Sequence, residues 1–384
     1  MASACQNGGH EGRVIPLFRS HEASTGRGRS QLPSRQAVQS KMMTDYEHSA
    51  PAPGLIALIQ QGAMAQAVCV AAELRIADFL ADGPKSVSEL ARVTGSHAPS
   101  LHRLLRALAS LELCVEHEDG SFGLGPMGSL LRSDSPESLR TWLLWFGKYQ
   151  WAVWGQLLHS IQTGESARTL VTGSHVFGFL EGSPQAAAIF NDTMLQLTRL
   201  VASEVARTYD FGAMQQVIDV GGGYGTLLSA VLERHPHLNG VLFDLPHAIE
   251  GARKQLATAG LGDRYSVVAG DFFARIPSGA DGYLLKNIIH DWNDTRSASI
   301  LSNCRRAIPD HGKLLLIERV LPPRFEPTRA HKAIAYADLA MLVGTGGRER
   351  TEAEFRNLLR GAGFQLASVK PTAFEFSIVE AVPG

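Results

Sequence analysis

A chain of 384 residues is long enough for two domains with separate cores. Its 36 Lys and Arg against 37 Asp and Glu exclude a net charge that would draw the whole molecule to nucleic acid or an anionic membrane, and 45% hydrophobic with 19% charged residues is the composition of a globular protein. Cys5, Cys69, Cys114 and Cys304 form neither a CxxC pair nor a metal-ligand spacing, which excludes a disulfide framework and a cysteine-built metal site and points to a reducing, cytoplasmic compartment.

Residues 1–48 differ from the rest: the stretch from Ser24 to Arg35 is rich in Ser, Gly and Arg with no hydrophobic period, so a disordered extension is expected. It carries no apolar core of a secretory signal, Glu11 and Glu22 argue against a transit peptide, and Met42 or Met43 is an alternative start. A first domain is expected over 49–200, all-helical apart from one hairpin. It opens on an Ala-rich helical pattern from Gly54 to Leu80, apolar on most faces, which predicts burial, in part against another subunit. No uninterrupted apolar run approaches the ~20 residues that span a bilayer, so no membrane span is expected.

Ser86-Val-Ser-Glu89 is a capping box opening a short helix that stops at Gly95. Leu101, Leu104, Leu105, Leu108 and Leu111 mark the core face of a second helix, and Cys114 to Leu124 reads as a hairpin turning at Asp119-Gly120. Helix, helix and hairpin make a winged helix. Two readings follow: DNA binding through His102, Arg103 and Arg106, or a reused scaffold on which those residues are solvated.

Residues 140–200 are again helical and hold Trp142, Trp145, Trp151 and Trp154. From 201 to 384 short β-branched runs alternate with helical stretches, which predicts an α/β domain with a mostly parallel sheet. The expected strands are Gln216–Val220, Gly240–Phe243, Tyr265–Ala269, Gly282–Lys286 and Lys313–Glu318, followed by two joined only through Pro371-Thr-Ala, a link short enough to force an antiparallel hairpin.

The strongest single motif is Val217-Ile-Asp-Val-Gly-Gly-Gly-Tyr-Gly225, a buried strand running into a glycine turn and then a helix. Counted from Gly221, the last position of a pyrophosphate fingerprint is occupied by Thr226, and Asp219 would repel a phosphate. An acidic, glycine-lined crevice around Gly221 and Gly223 suits a cation instead, and S-adenosylmethionine, with an ammonium, a sulfonium and no phosphate, has that charge distribution. Asp244 with Leu245 ends the second strand where a ribose would sit, and Asp271 with Phe272 ends the third, placed for an adenine.

These segments, with Leu285-Lys-Asn-Ile-Ile-His-Asp-Trp292, Leu316-Ile-Glu318 and Gly346-Gly-Arg-Glu-Arg-Thr351, resemble the small-molecule O-methyltransferases of plant caffeate, bacterial tailoring and hydroxyindole type, over roughly residues 50–384. The resemblance implies a Rossmann-like class I methyltransferase domain behind a winged-helix dimerisation domain, a homodimer, S-adenosyl-L-methionine as cofactor without a metal, and a small hydroxylated acceptor. It implies His290 as general base, which chemistry supports, because a phenol of pKa about 10 needs a base near neutrality. Glu349 is implied as the group that orients the base and Glu318 as a second carboxylate, with Lys286 and Asp291 beside the cofactor. Phe190 and Met194 are implied as the acceptor clamp, and Trp154 and Met341 are further candidates for the lining. A rival reading keeps the winged helix as a DNA-binding regulator with a ligand-sensing second domain, or as a relative that binds the cofactor without transferring a methyl.

Overall fold

The computed structural model of the protein describes residues 51–384, so the extension expected over 1–48 lies outside the described residues. The chain divides between Gln60 and Gln61: the first unit contributes the opening turns of the helix Pro51–Glu73, and Gln61–Gly384 forms the second. The expected burial of this first helix is not found within one chain. Leu55, Ile56, Leu58 and Ile59 are exposed, and only Cys69, Ala71 and Ala72 are buried. By length and composition the helix is long and apolar enough to cross a membrane, with a mean hydropathy of 1.6. The apolar run is nonetheless interrupted, as the sequence shows, by Gln60, Gln61 and Gln66.

The winged-helix pattern folds as its local chemistry dictates. Ser86 Oγ accepts from the Glu89 amide at 3.2 Å and Glu89 Oε2 accepts from the Ser86 amide at 2.8 Å, closing the capping box of helix Val87–Thr94. Gly95 ends it in the left-handed region at φ 65°. Helix Ala98–Ser110 buries Leu101, Leu105 and Leu108, and β1 (Cys114–Glu116) pairs antiparallel with β2 (Phe122–Leu124). Removing the cap in Ser86→Ala is expected to lower stability by about 1 kcal/mol, read as a lower urea midpoint at constant slope; an unmoved midpoint would show that the box adds nothing. Two of the three basic residues of the supposed recognition face turn back on the wing, His102 and Arg106 lying 3.6 and 3.7 Å from Glu116.

The second layer system is a sheet whose strands are β3 (Gln216–Val220), β4 (Asn239–Asp244), β5 (Tyr265–Ala269), β6 (Gly282–Lys286), β7 (Lys313–Leu321), β8 (Arg350–Thr351), β9 (Phe364–Pro371) and β10 (Phe376–Pro383). The order is β5-β4-β3-β6-β7-β10-β9, with β8 paired to the end of β7; the pairs from β5 to β8 are parallel and β10 is antiparallel to both neighbours. Alternate residues of the central strands feed two cores. Ile218, Val220, Phe243, Leu285, Leu314 and Leu316 pack with Ile300, Leu301, Phe355 and Leu359 on one face, and Val217, Leu242, Leu284, Leu315 and Ile317 with Leu227, Leu228 and Val231 on the other.

Helix Pro184–Thr208 joins the two parts, and the boundary expected at residue 200 falls inside it. Val201, Ala202, Val205 and Ala206 belong to the second of those cores, so the last turns of this helix are built into the α/β layer. The strand order reverses between β3 and β6. In an open α/β sheet such a reversal leaves a crevice at the carboxyl ends of the two strands.

Candidate active site

The rim of that crevice gathers most of the expected site residues. At the end of β3 the chain turns through Gly221, Gly223 and Gly225 with φ of 70°, 58° and 79°. A side chain on Gly221 would run into Ile288, with Phe272 in contact beside it, so the turn is closed on that side, whereas at Gly223 a Cβ would meet nothing within 4 Å. Asp244 Oδ2 accepts from the Gly223 amide at 2.7 Å and Oδ1 from the Leu245 amide at 2.6 Å, which ties β4 to the turn. Asp219 is 1% exposed beneath the turn, and its Oδ2 is buried without a hydrogen-bond partner among the described residues. Burial, with help from the Asp244 charge, pushes its carboxyl up to about 7.

Asp271 is exposed at the end of β5 and accepts from the Phe273 amide at 2.8 Å. Asn303, which the sequence reading missed, donates from Nδ2 to the carbonyls of Phe272 and Phe273 at 2.7 and 2.8 Å and so fixes the Phe272 ring beside the glycine turn. Lys286 closes the opposite side; burial and the nearby Arg319 lower its ammonium to about 8.

After β6 the chain reverses at Asn287, a non-glycine residue at φ 55°. That bend aims the amides of Ile288 and Ile289 at Glu318 Oε1, 3.1 and 2.8 Å away. The anchored carboxylate leaves Oε2 at 3.6 Å from His290 Nδ1. Glu349 Oε1 accepts from the same Nδ1 at 3.0 Å, and the Glu349 amide is itself held by Asp338 Oδ1 at 2.9 Å. With Nδ1–H committed to a carboxylate, Nε2 is the nitrogen that carries the lone pair in the neutral ring; Asp291 Oδ1 lies 3.8 Å from it. Burial pulls the imidazolium down, but Glu349 and Glu318 outweigh it and raise His290 to about 9. Burial likewise raises Asp291 to about 7.

The loop that delivers Glu349 approaches with no room for side chains. A Cβ on Gly347 would collide with the His290 carbonyl oxygen, and the Arg348 amide donates to that oxygen at 2.9 Å. Arg350, also missed from the sequence, is 1% exposed and stitches this loop to the base: Nη1 to Ile289 O at 3.1 Å, Nη2 to Trp292 O at 2.8 Å, and Nε and Nη2 to Asp294 Oδ1 at 3.0 and 2.8 Å. Among the described residues, His290, Glu318 and Glu349 are the group whose ligand atoms, within 4.8 Å of one another, could hold a metal ion. The short Nδ1–Oε1 contact spends that proximity on an imidazole–carboxylate pair.

The expected acceptor residues fall in two places. Phe190 meets Trp145 edge-on at 5.1 Å, with Met194 one turn further along the same helix. Trp154 stacks on Tyr336 at 5.3 Å, on the helix Arg329–Gly344 that also carries Met341.

A crevice at the switch point of a parallel sheet, with buried acids under a glycine turn and a carboxylate-held histidine at its rim, suits a cationic ligand beside a proton acceptor. The O-methyltransferase domain model matches residues 154–365 and the O-methyltransferase dimerisation domain model residues 56–134. The chain is 47% identical over 318 residues to a phenazine O-methyltransferase of Lysobacter antibioticus, covering 83% of this chain and 92% of that protein. It is 40% identical to an O-demethylpuromycin-O-methyltransferase of Streptomyces alboniger, over 82% of this chain and 84% of that one. A solved O-methyltransferase of neocarzinostatin biosynthesis, in complex with S-adenosylmethionine and 2-hydroxy-5-methyl naphthoic acid, superposes with a TM-score of 0.74 at 36% identity, covering 83% of this chain and 96% of that one. The chain belongs to the O-methyltransferase family: it is an S-adenosylmethionine-dependent enzyme with an N-terminal dimerisation domain. The regulator reading is set aside.

Proposed function

We propose that the protein methylates a hydroxyl of a small planar aromatic metabolite in the cytoplasm, with His290 as the general base. The observation that carries this is the fixed imidazole: Nδ1 is held by Glu349 at 3.0 Å and Nε2 is left to take the acceptor's proton. S-adenosylmethionine supplies a methyl carbon on a sulfonium centre. The crevice fits such a cation, since Asp219 is buried beneath the glycine turn with an unpartnered oxygen and Asp244 and Asp291 are acids at the same strand ends. Asp219, Gly221, Gly223, Asp244, Leu245, Asp271, Phe272, Lys286 and Asp291 are proposed to line the donor, and Phe190, Met194, Trp154 and Met341 the acceptor.

A base held at about 9 is mostly protonated at neutral pH, and only its neutral form accepts a proton. So kcat/KM for the cofactor is expected to climb with pH to a plateau above about 9. The limb in kcat should lie lower, because a cation in the crevice opposes the field of the acids. A rate profile of S-adenosylhomocysteine release on a panel of planar phenols checks this; a flat profile from pH 6 to 9 rules His290 out as base. Stability carries the same sign. A histidine raised above its unfolded value of about 6.5 stabilises fully below that pH, and the contribution is lost as pH rises through about 9. Asp219 and Asp291, raised to about 7, act in the same direction. The melting temperature is therefore expected to fall between pH 6 and 9.

The exposed apolar face of Pro51–Glu73, which overlaps the dimerisation match, supports a homodimer that covers Leu55, Ile56, Leu58 and Ile59. Light scattering that found a stable monomer would overturn this.

A further inference from the structure

We infer that Arg168 anchors a carboxylate on the methyl acceptor, which makes the acceptor class a planar aromatic hydroxy acid; this rests on the O-methyltransferase reading above. Arg168 lies in helix Ala167–Thr172 and is 1% exposed. Its Nη2 donates to Gln150 Oε1 at 2.6 Å, while Nε and Nη1 are buried with no hydrogen-bond partner among the described residues. No carboxylate among the described residues comes within ion-pair distance of it. Burial lowers its pKa to about 10, which still leaves it cationic at neutral pH. A buried guanidinium with two open donor groups is strongly unfavourable unless an anion completes it, and a carboxylate matches its fork with two parallel hydrogen bonds.

The surroundings specify the shape of that anion. The guanidinium carbon lies 5.2 Å from the Trp145 ring and 5.7 Å from Phe179, contacts that satisfy the cation's faces and leave the Nε and Nη1 donors unserved. Trp145 in turn touches Phe190, the expected acceptor clamp. The same segment is fastened to the catalytic loop. Ser166 Oγ donates to the carbonyls of Val343 and Gly344 at 3.0 and 2.9 Å, just ahead of the glycines that lead to Glu349, and Phe177 stacks on Trp292 at 5.6 Å, two residues beyond His290. An aromatic wall with one fixed cation, joined to the base by short connections, suits a flat molecule bearing a hydroxyl and, apart from it, a carboxylate.

The test is calorimetric. The full chain, saturated with S-adenosylhomocysteine, is titrated with a hydroxynaphthoic acid and with the matched naphthol, as wild type, Arg168→Gln and Arg168→Lys. The S-adenosylhomocysteine titration itself shows that each variant is folded. Wild type is expected to bind the acid roughly 100-fold more tightly than the naphthol. That preference should fall to about 1 in Arg168→Gln and survive in part in Arg168→Lys, which keeps the charge and loses the fork. Equal binding of acid and naphthol by wild type overturns the proposal even if no variant folds. So does an acid preference that persists in Arg168→Gln, which would make Arg168 a structural cation completed by residues 1–50 or by a second subunit. If the acid binds through Arg168 but no hydroxynaphthalene yields S-adenosylhomocysteine from S-adenosylmethionine, the anchor stands and the methyl-transfer reading is the one that falls.

Discussion

Replacing His290 with alanine is expected to lower kcat by about 10²–10⁴, the range that a positioned general base supplies, while affinity for S-adenosylhomocysteine changes little. The expectation follows from how much of the local structure serves this one imidazole. Glu349 and Glu318 both face Nδ1, Glu318 is pinned by two backbone amides, and Asn287 accepts a left-handed backbone to bring those amides round. Each of these contacts bears on the position or the proton affinity of the imidazole. Rapid-quench single turnovers separate the chemical step from binding. A variant that keeps wild-type single-turnover rates shows that the acceptor loses its proton elsewhere, and one that loses cofactor binding shows that the residue holds the crevice together.

Arg350→Met is expected to cost about 2–4 kcal/mol of stability, from hydrogen bonds of a charged group to buried carbonyls. Methionine fills comparable space and offers no donors. Arg350 serves Ile289 and Trp292, on either side of His290, as well as Asp294. Because Asp294 is 65% exposed, the carboxylate left behind is solvated, and the loss comes chiefly from the two carbonyls. The variant should melt several degrees lower. It should also lose about 10² in kcat, since a shift of about 1 Å between base and acceptor suffices for that. Arg350 is a positioning residue, so the discriminating readout is the pH profile: loosening the His290–Glu349 pair moves the rising limb to lower pH. A lower melting temperature with an unmoved limb would reduce Arg350 to a structural role.

What the sequence makes legible here is what repeats locally. β3, β5 and β6 begin and end at the expected residues because a buried parallel strand is a short apolar run between turn residues. The capping box at Ser86 and the hairpin after Cys114 are local chemistry, and both form. The gathering of His290, Glu318 and Glu349 was reachable only through motif resemblance, because 59 residues separate the first from the last. Arg350, Asn303 and Arg168 stayed hidden: a buried polar residue has no period, and its partners lie on other elements. The expected junction near residue 200 carries no local break in pattern for a related reason. Helix Pro184–Thr208 keeps one continuous pattern while its neighbours change from helices to sheet. How much of Pro51–Glu73 a second subunit rather than its own chain would cover was not legible, since apolar faces look alike in sequence in either case.

The most direct test of the central claim is transfer of an isotopically labelled methyl group from S-adenosylmethionine to a hydroxynaphthoic acid, with the product's carbon environment read by NMR. The label is expected in an aryl methoxy group with the wild-type chain and to be absent with His290→Ala. A label attached to ring carbon, or undiminished transfer by His290→Ala, would contradict an oxygen acceptor deprotonated by His290.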